Sequence, residues 1–231
     1  MSLVVEVGPL VDPGVARCLD PVFGLLSARE DLPEGGMVVV GAPSAAGLAR
    51  ARAARVVVVV PAYAADDDPF YRTICERAGE VTELELPAPT VALAARGIEA
   101  TTLADARVTD VQALLSETDA HAAESQCPVR LVAGRPEAVV HAREAWAAGA
   151  AVVAMSGPAA ESLRRSGGAL VADTVLEAVE AVALLGRTPR LAMTLARRGR
   201  DLLGALPSAE GVAAELVAAL RRADGTSHPA G

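Results

Sequence analysis

The chain of 231 residues contains no lysine and no asparagine, and only one tryptophan, two tyrosines, two phenylalanines, three cysteines and three histidines. Each shortage closes off a chemistry. A receiver-type phosphorylation pocket needs a lysine beside its acceptor aspartate, so the absence argues against that class, and every strong cation here is an arginine. Without asparagine there is no N-glycosylation acceptor, and glycine is left as the main residue for left-handed turns. With so few aromatics, cores must be filled by Ala, Val and Leu, as the buried strands of parallel sheets usually are. Cys18, Cys75 and Cys127 show no Cys-x-x-Cys spacing, and so sparse a set implies reduced thiols in a cytoplasmic protein. No charged-then-apolar leader opens the chain and no apolar run reaches spanning length, so no membrane span is expected. The net charge of -8 argues against a nucleic-acid partner held through a basic face. Two local clusters, Arg50, Arg52 and Arg55, and Arg197, Arg198 and Arg200, remain suited to a diphosphate.

What is present is an alternation of short β-branched runs with helical segments, the pattern of a parallel sheet with helices on its faces. Strands are expected at Leu3 to Val7, Met37 to Gly41, Val56 to Val60, Val81 to Leu86, Glu99 to Leu103, Val129 to Ala133, Ala151 to Ala154 and Ala169 to Val171. Helices are expected at Pro13 to Ala28, Ser44 to Ala54, Pro69 to Ala78, Pro89 to Arg96, Thr109 to Glu124, Pro136 to Ala148 and Ala159 to Ser166, then at Thr174 to Leu185, Pro189 to Leu203 and Ser208 to Arg222. Asp68 before Pro69 is an N-cap signal, and Thr174-x-x-Glu177 is a capping box. The fold class is therefore α/β and Rossmann-like, with parallel sheets and helices on both faces. The expected division is a lobe over residues 1–105, a second over 106–222 and a flexible tail over 223–231.

The stretch from Val129 to Val171 reads as one βαβ unit, in which ligands lie beyond the carboxyl ends of the strands. The turns at Ala133 to Glu137 and at Met155 to Pro158 should then open on one crevice. Its wording, Glu144-Ala145-Trp146-Ala147-Ala148-Gly149 before Ala151-Val152-Val153, then Ser156-Gly157-Pro158-Ala159-Ala160-Glu161 and Gly167-Gly168-Ala169-Leu170-Val171, resembles the sugar-nucleotide end of retaining glycosyltransferases of the GT-B fold (group 1, family 4-like). Leu86-Pro87-Ala88-Pro89-Thr90 to Gly97-Ile98-Glu99 resembles the end of that family's acceptor domain. A competing alignment puts Val4 to Gly8 and Met37 to Gly41 on the opening of the donor domain, leaving one domain instead of two. Either way the chain is a shortened GT-B type. The family's two glutamates stand one residue further apart than Glu137 and Glu144, a difference of about 100° around a helix. The family's glycines after the first glutamate are replaced by Ala138-Val139-Val140.

The resemblance implies transfer of a sugar from a nucleotide-diphosphate sugar, with no separate cofactor. Glu137 and Glu144 are the catalytic candidates. Gly134, Arg135, Ser156, Gly157 and Glu144 are the candidates for holding the donor, with the Ser156 and Gly157 amides on phosphate or sugar. The altered spacing and lost glycines equally fit a catalytically degenerate homologue, a partner or regulatory subunit that pairs with a cognate glycosyltransferase or with a second copy as a homo-oligomer. Weaker signals are Val56 to Tyr63 followed by Asp66-Asp67-Asp68, which resembles the opening strand and metal acids of GT-A enzymes, and His121 and His141 as titratable groups. The acidic run comes too soon after the strand for a metal pair, and Asp68 is accounted for as a cap, so no metal is expected.

Overall fold

A computed structural model describes residues 3–62, 68–89, 127–132 and 134–226. It divides into two compact units: Met1–Ala88 with Leu206–Gly231, and Pro89–Ala205.

In the first unit β1 (Val4–Val7), β2 (Gly36–Val40), β3 (Val56–Val60) and β4 (Glu80–Val81) form a parallel sheet in sequence order. Every residue of β2 and β3 is buried, so both faces must be covered, and the five valines of β3 suit such a layer. Met37, Val39, Val57 and Val59 pack with Leu48 and Ala51 of α2 (Ala45–Ala53) and Tyr71 and Ile74 of α3 (Pro69–Arg77). Alternation turns Val38, Val40, Val58 and Val60 the other way. There lie α1 (Pro13–Ser27) and the C-terminal helix Ala209–Thr226, which pack on each other, the latter reaching across β3 and β4. Asp12 accepts the Gly14 amide at 2.7 Å ahead of α1, Ser44 accepts the Gly47 amide at 3.0 Å, and Asp68 accepts those of Phe70 and Tyr71 at 2.8 and 3.0 Å. The Asp68 cap stands where its sequence signal puts it.

In the second unit β5 (Val129–Val132), β6 (Ala151–Met155) and β7 (Ala169–Ala172) are parallel and again in sequence order. One face packs Val129, Leu131, Ala151 and Val153 under α6 (Val175–Arg187) and α7 (Pro189–Leu203). The other packs Val132, Val152, Ala154 and Ala169 under α4 (Ala138–Ala147) and α5 (Ala160–Ser166). The C-terminal helix is α8. The chain is thus α/β with parallel sheets and helices on both faces. No helix among the described residues is long and apolar enough to cross a membrane.

Three expectations are corrected. The run from Val81 to Leu86 is strand only over Glu80–Val81, because its partner β3 ends at Val60 and the Thr82 amide, on the Val59 carbonyl at 2.8 Å, is the last to reach it. α4 starts at Ala138 instead of Pro136. The segment Ser208 to Arg222 was expected to close the second lobe, with a tail from residue 223. It instead packs on the first unit and stays helical to Thr226, since its apolar stripe of Val212, Leu216, Leu220 and Ala223 is fully used there. The boundary near residue 105, the strand Glu99 to Leu103, and the helices Pro89 to Arg96 and Thr109 to Glu124 lie outside the described residues.

Ion pairs fasten α8 to its unit. Arg222 donates from Nε to both oxygens of Glu80 at 2.9 and 3.1 Å, Arg221 meets Asp31 at 2.6 Å, and Arg55 meets Asp224 at 3.0 Å. The Arg222 bond holds the Glu80 carboxyl below its ordinary range, against a smaller opposing push from burial. A depressed folded pKa means stability that is present above the unfolded value of 4.5 and lost as pH falls through the folded value. Urea unfolding should therefore show a midpoint that drops between neutral pH and pH values below about 4. In Arg222→Gln the drop should be smaller; equal acid sensitivity in both proteins would remove this pair from the account.

Candidate functional site

The registers Val132↔Ala154 and Met155↔Ala172 bring the carboxyl ends of β5, β6 and β7 level. The turns that follow meet backbone to backbone. A Cβ on Gly134 would fall 2.0 Å from the Ser156 carbonyl oxygen, and one on Gly157 would fall 1.9 Å from that of Gly134. No other residue type fits at either place, so the expected meeting of these two turns is present and glycine is its condition.

Around that junction the donor-holding candidates separate. Arg135, Ser156 and Gly157 are exposed, and Gly134 and Glu137 are half-buried. Glu137 takes the N-cap position of α4 without a side-chain cap bond, near the positive end of the helix dipole. The expectation for the Ser156 amide is corrected: it donates to the Ala172 carbonyl at 2.8 Å, inside the β6–β7 pairing, and is spent there. What Ser156 brings to the mouth is a side chain.

Glu144 is not at the mouth. It lies seven residues after Glu137, hence on the same side of the helix but about 10 Å further along it, toward the amino ends of the strands. It is 2 % exposed, with His141 Nδ1 at 3.5 Å from Oε2. The other buried charge among the described residues is Arg130 on β5, which shares the parity of Val132 and so faces the α4 layer. Sequence reasoning passed over Arg130. Its signal was a lone arginine inside the apolar strand Val129-Arg130-Leu131-Val132. Trp146, where the resembled family has methionine, seats its ring against Gly199 and donates Nε1–H to the Gly168 carbonyl at 3.1 Å, which locks α4 to β7 and α7.

The fold disperses the first arginine cluster and keeps the second together on α7, away from the mouth. Arg50 pairs with Glu6 of β1, and Arg55 pairs with Asp224. Arg198 and Arg200 lie over the glycine turns that lead into β7 and β6, at the opposite end of the sheet from the mouth. Arg135 is the one candidate from the sequence that stands, as an exposed arginine, beside the junction. Asp66, Asp67, Tyr63 and His121 lie outside the described residues; Asp68 is the cap of α3.

The first unit repeats the device with a different outcome. A Cβ on Gly8 would stand 2.0 Å from the Ala42 carbonyl oxygen, the counterpart of Gly134 on Ser156. There, however, the Glu6 carboxylate fills the start of α2, accepting from Ser44 Oγ at 2.9 Å and from Arg50, and Gly47 leaves the room it occupies. The anion position of the first mouth is taken by the chain itself. The second mouth presents an arginine and a serine instead. Compared with protein-family models and with curated proteins, the chain matches none.

Proposed function

We propose that the chain is a glycosyltransferase-like protein whose second unit takes a nucleotide-diphosphate sugar at the carboxyl ends of β5 and β6. The observation that carries this reading is the contrast between the two mouths: one closed on its own Glu6, the other bordered by exposed Arg135, Ser156 and Gly157. In this reading Arg135 grips the diphosphate bidentately, Glu137 at the start of α4 meets a sugar hydroxyl, and the close Gly134–Gly157 contact fixes both turns so that little order is lost on binding. Transfer then rests on positioning and on stabilising the charge of the departing diphosphate.

A second reading is a catalytically degenerate homologue that keeps the donor fold as a regulatory subunit. It is favoured by Glu144, which is buried on α4 about two helical turns from the mouth. Calorimetric titration with UDP-glucose, UDP-N-acetylglucosamine and GDP-mannose tests both. Saturable binding of one of these, weakened about tenfold in Arg135→Ala, is the expected result, since a lost charge-assisted bidentate contact is worth roughly 1.4 kcal/mol or more. Sugar release from the bound donor, lowered in Glu137→Gln, separates the enzyme from the regulatory subunit. Silence across the panel would end the nucleotide-sugar reading.

A further inference from the structure

Arg187 at the end of α6 and Arg190, Arg197, Arg198 and Arg200 on α7 are all exposed, and none of their side chains has a hydrogen bond or ion pair among the described residues. Other exposed helix arginines are paired: Arg164 and Arg165 reach Glu161, and Arg221 and Arg222 reach Asp31 and Glu80. On α7 four arginines face a single acidic residue, Asp201, in a protein whose net charge is -8. Two of the four are also held in place. Arg198 lies against Gly167, where a Cβ would be 2.7 Å from its guanidinium carbon, and Arg200 against Gly149, where a Cβ would be 2.8 Å from Nη2. Both glycines have left-handed φ values, +65° and +78°, so the turns could not accept a side chain without strain. Arg190 and Arg197 recur two turns apart on one side of α7, with exposed Met193 between them.

We propose that this arginine surface on α7, at the amino end of the second sheet, docks an acidic segment of a partner protein. Carboxylates match guanidinium forks bidentately, and arginines already laid on glycine turns lose little freedom when they bind. A short acidic segment covers the patch and nothing else. A nucleic acid is disfavoured because α7 has no aromatic residue on which a base could stack. An anionic bilayer is disfavoured in the same way: Met193 is the exposed large apolar side chain of α7, too little to insert. The inference does not depend on whether the mouth of the second unit takes a nucleotide sugar.

The test uses the full chain and a fluorescein-labelled oligoglutamate peptide in fluorescence anisotropy. Binding at low salt should weaken steeply as salt rises, and should fall about tenfold in the triple variant R197Q/R198Q/R200Q. The double variant R190Q/R197Q, whose side chains rest on no glycine turn, should fall severalfold with unchanged circular dichroism, so a folding defect cannot account for the loss. R164Q/R165Q removes the same charge from α5 and should change affinity less than about twofold. No peptide binding at low salt would overturn the proposal, as would an equal loss in R164Q/R165Q. So would tighter capture of a single-stranded oligonucleotide or of phosphatidylserine vesicles, if that capture is what the triple variant loses.

Discussion

Deletion of residues 206–231 is expected to abolish cooperative unfolding of the first unit while Trp146, which belongs to the second, keeps its native fluorescence. The four-stranded sheet has two apolar faces, and α2 with α3 accounts for one of them. The other rests on α1 and α8, and α8 buries Leu216 and Leu220 completely, along with Val212, Val217 and Ala223. Leu220 lies beside Gly36 at the start of β2, and Ala223 lies so close to Gly79 that a Cβ there would be 2.8 Å away. Leu220→Ala alone should cost about 2 to 5 kcal/mol, the usual range for a leucine removed from a tight core. The whole helix is therefore worth more than a small α/β layer has to spare. Urea titration followed by far-ultraviolet circular dichroism and by Trp146 emission gives the answer. A truncated protein with both transitions intact would show that α8 only rests on the first unit.

Gly157→Ala should cost about 3 kcal/mol and remove any binding at the second mouth together with it. The added methyl would sit 1.9 Å from the Gly134 carbonyl oxygen and 2.7 Å from its Cα, backbone atoms that cannot swing aside as a side chain can. The two turns must part, and the parting reaches Ser156, whose amide anchors β6 to Ala172. Gly24→Ala is the control: nothing lies within 4 Å of its added Cβ, and inside α1 alanine is the better helix former by about 1 kcal/mol. A Gly157→Ala protein as stable as its parent would mean that the junction between the turns is loose in solution.

Much of the architecture was legible before any coordinates. Val56 to Val60, Pro189 to Leu203 and the Asp68 cap lie where the residues themselves put them, because β-branched runs, apolar periodicity and capping side chains act over a few residues. The meeting of the Gly134 and Gly157 turns followed from reading the stretch as a βαβ unit, whose parallel strands set their carboxyl ends side by side. Glu144 was legible as a word of a resemblance, but not its depth. α4 is helical from Ala138, so Glu144 falls two turns along it, where it is buried. Thr174 shows the same limit on a small scale: it caps Glu177 as expected, but the Glu177 carboxylate returns to the Asp173 amide instead of that of the cap residue.

The sequence by itself determined the elements, their parallel sense and the glycines that let successive turns touch, since each depends on neighbours a few residues away. Only the tertiary structure decided that α8 serves the first sheet, that Glu6 closes one mouth while Arg135 borders the other, and that the α7 arginines lie far from any expected diphosphate. Those outcomes depend on which apolar stripe wins which uncovered face and on where that leaves the charged side chains. Burial free energy is non-directional, so the pattern along a helix fixes that it must pack without fixing against what.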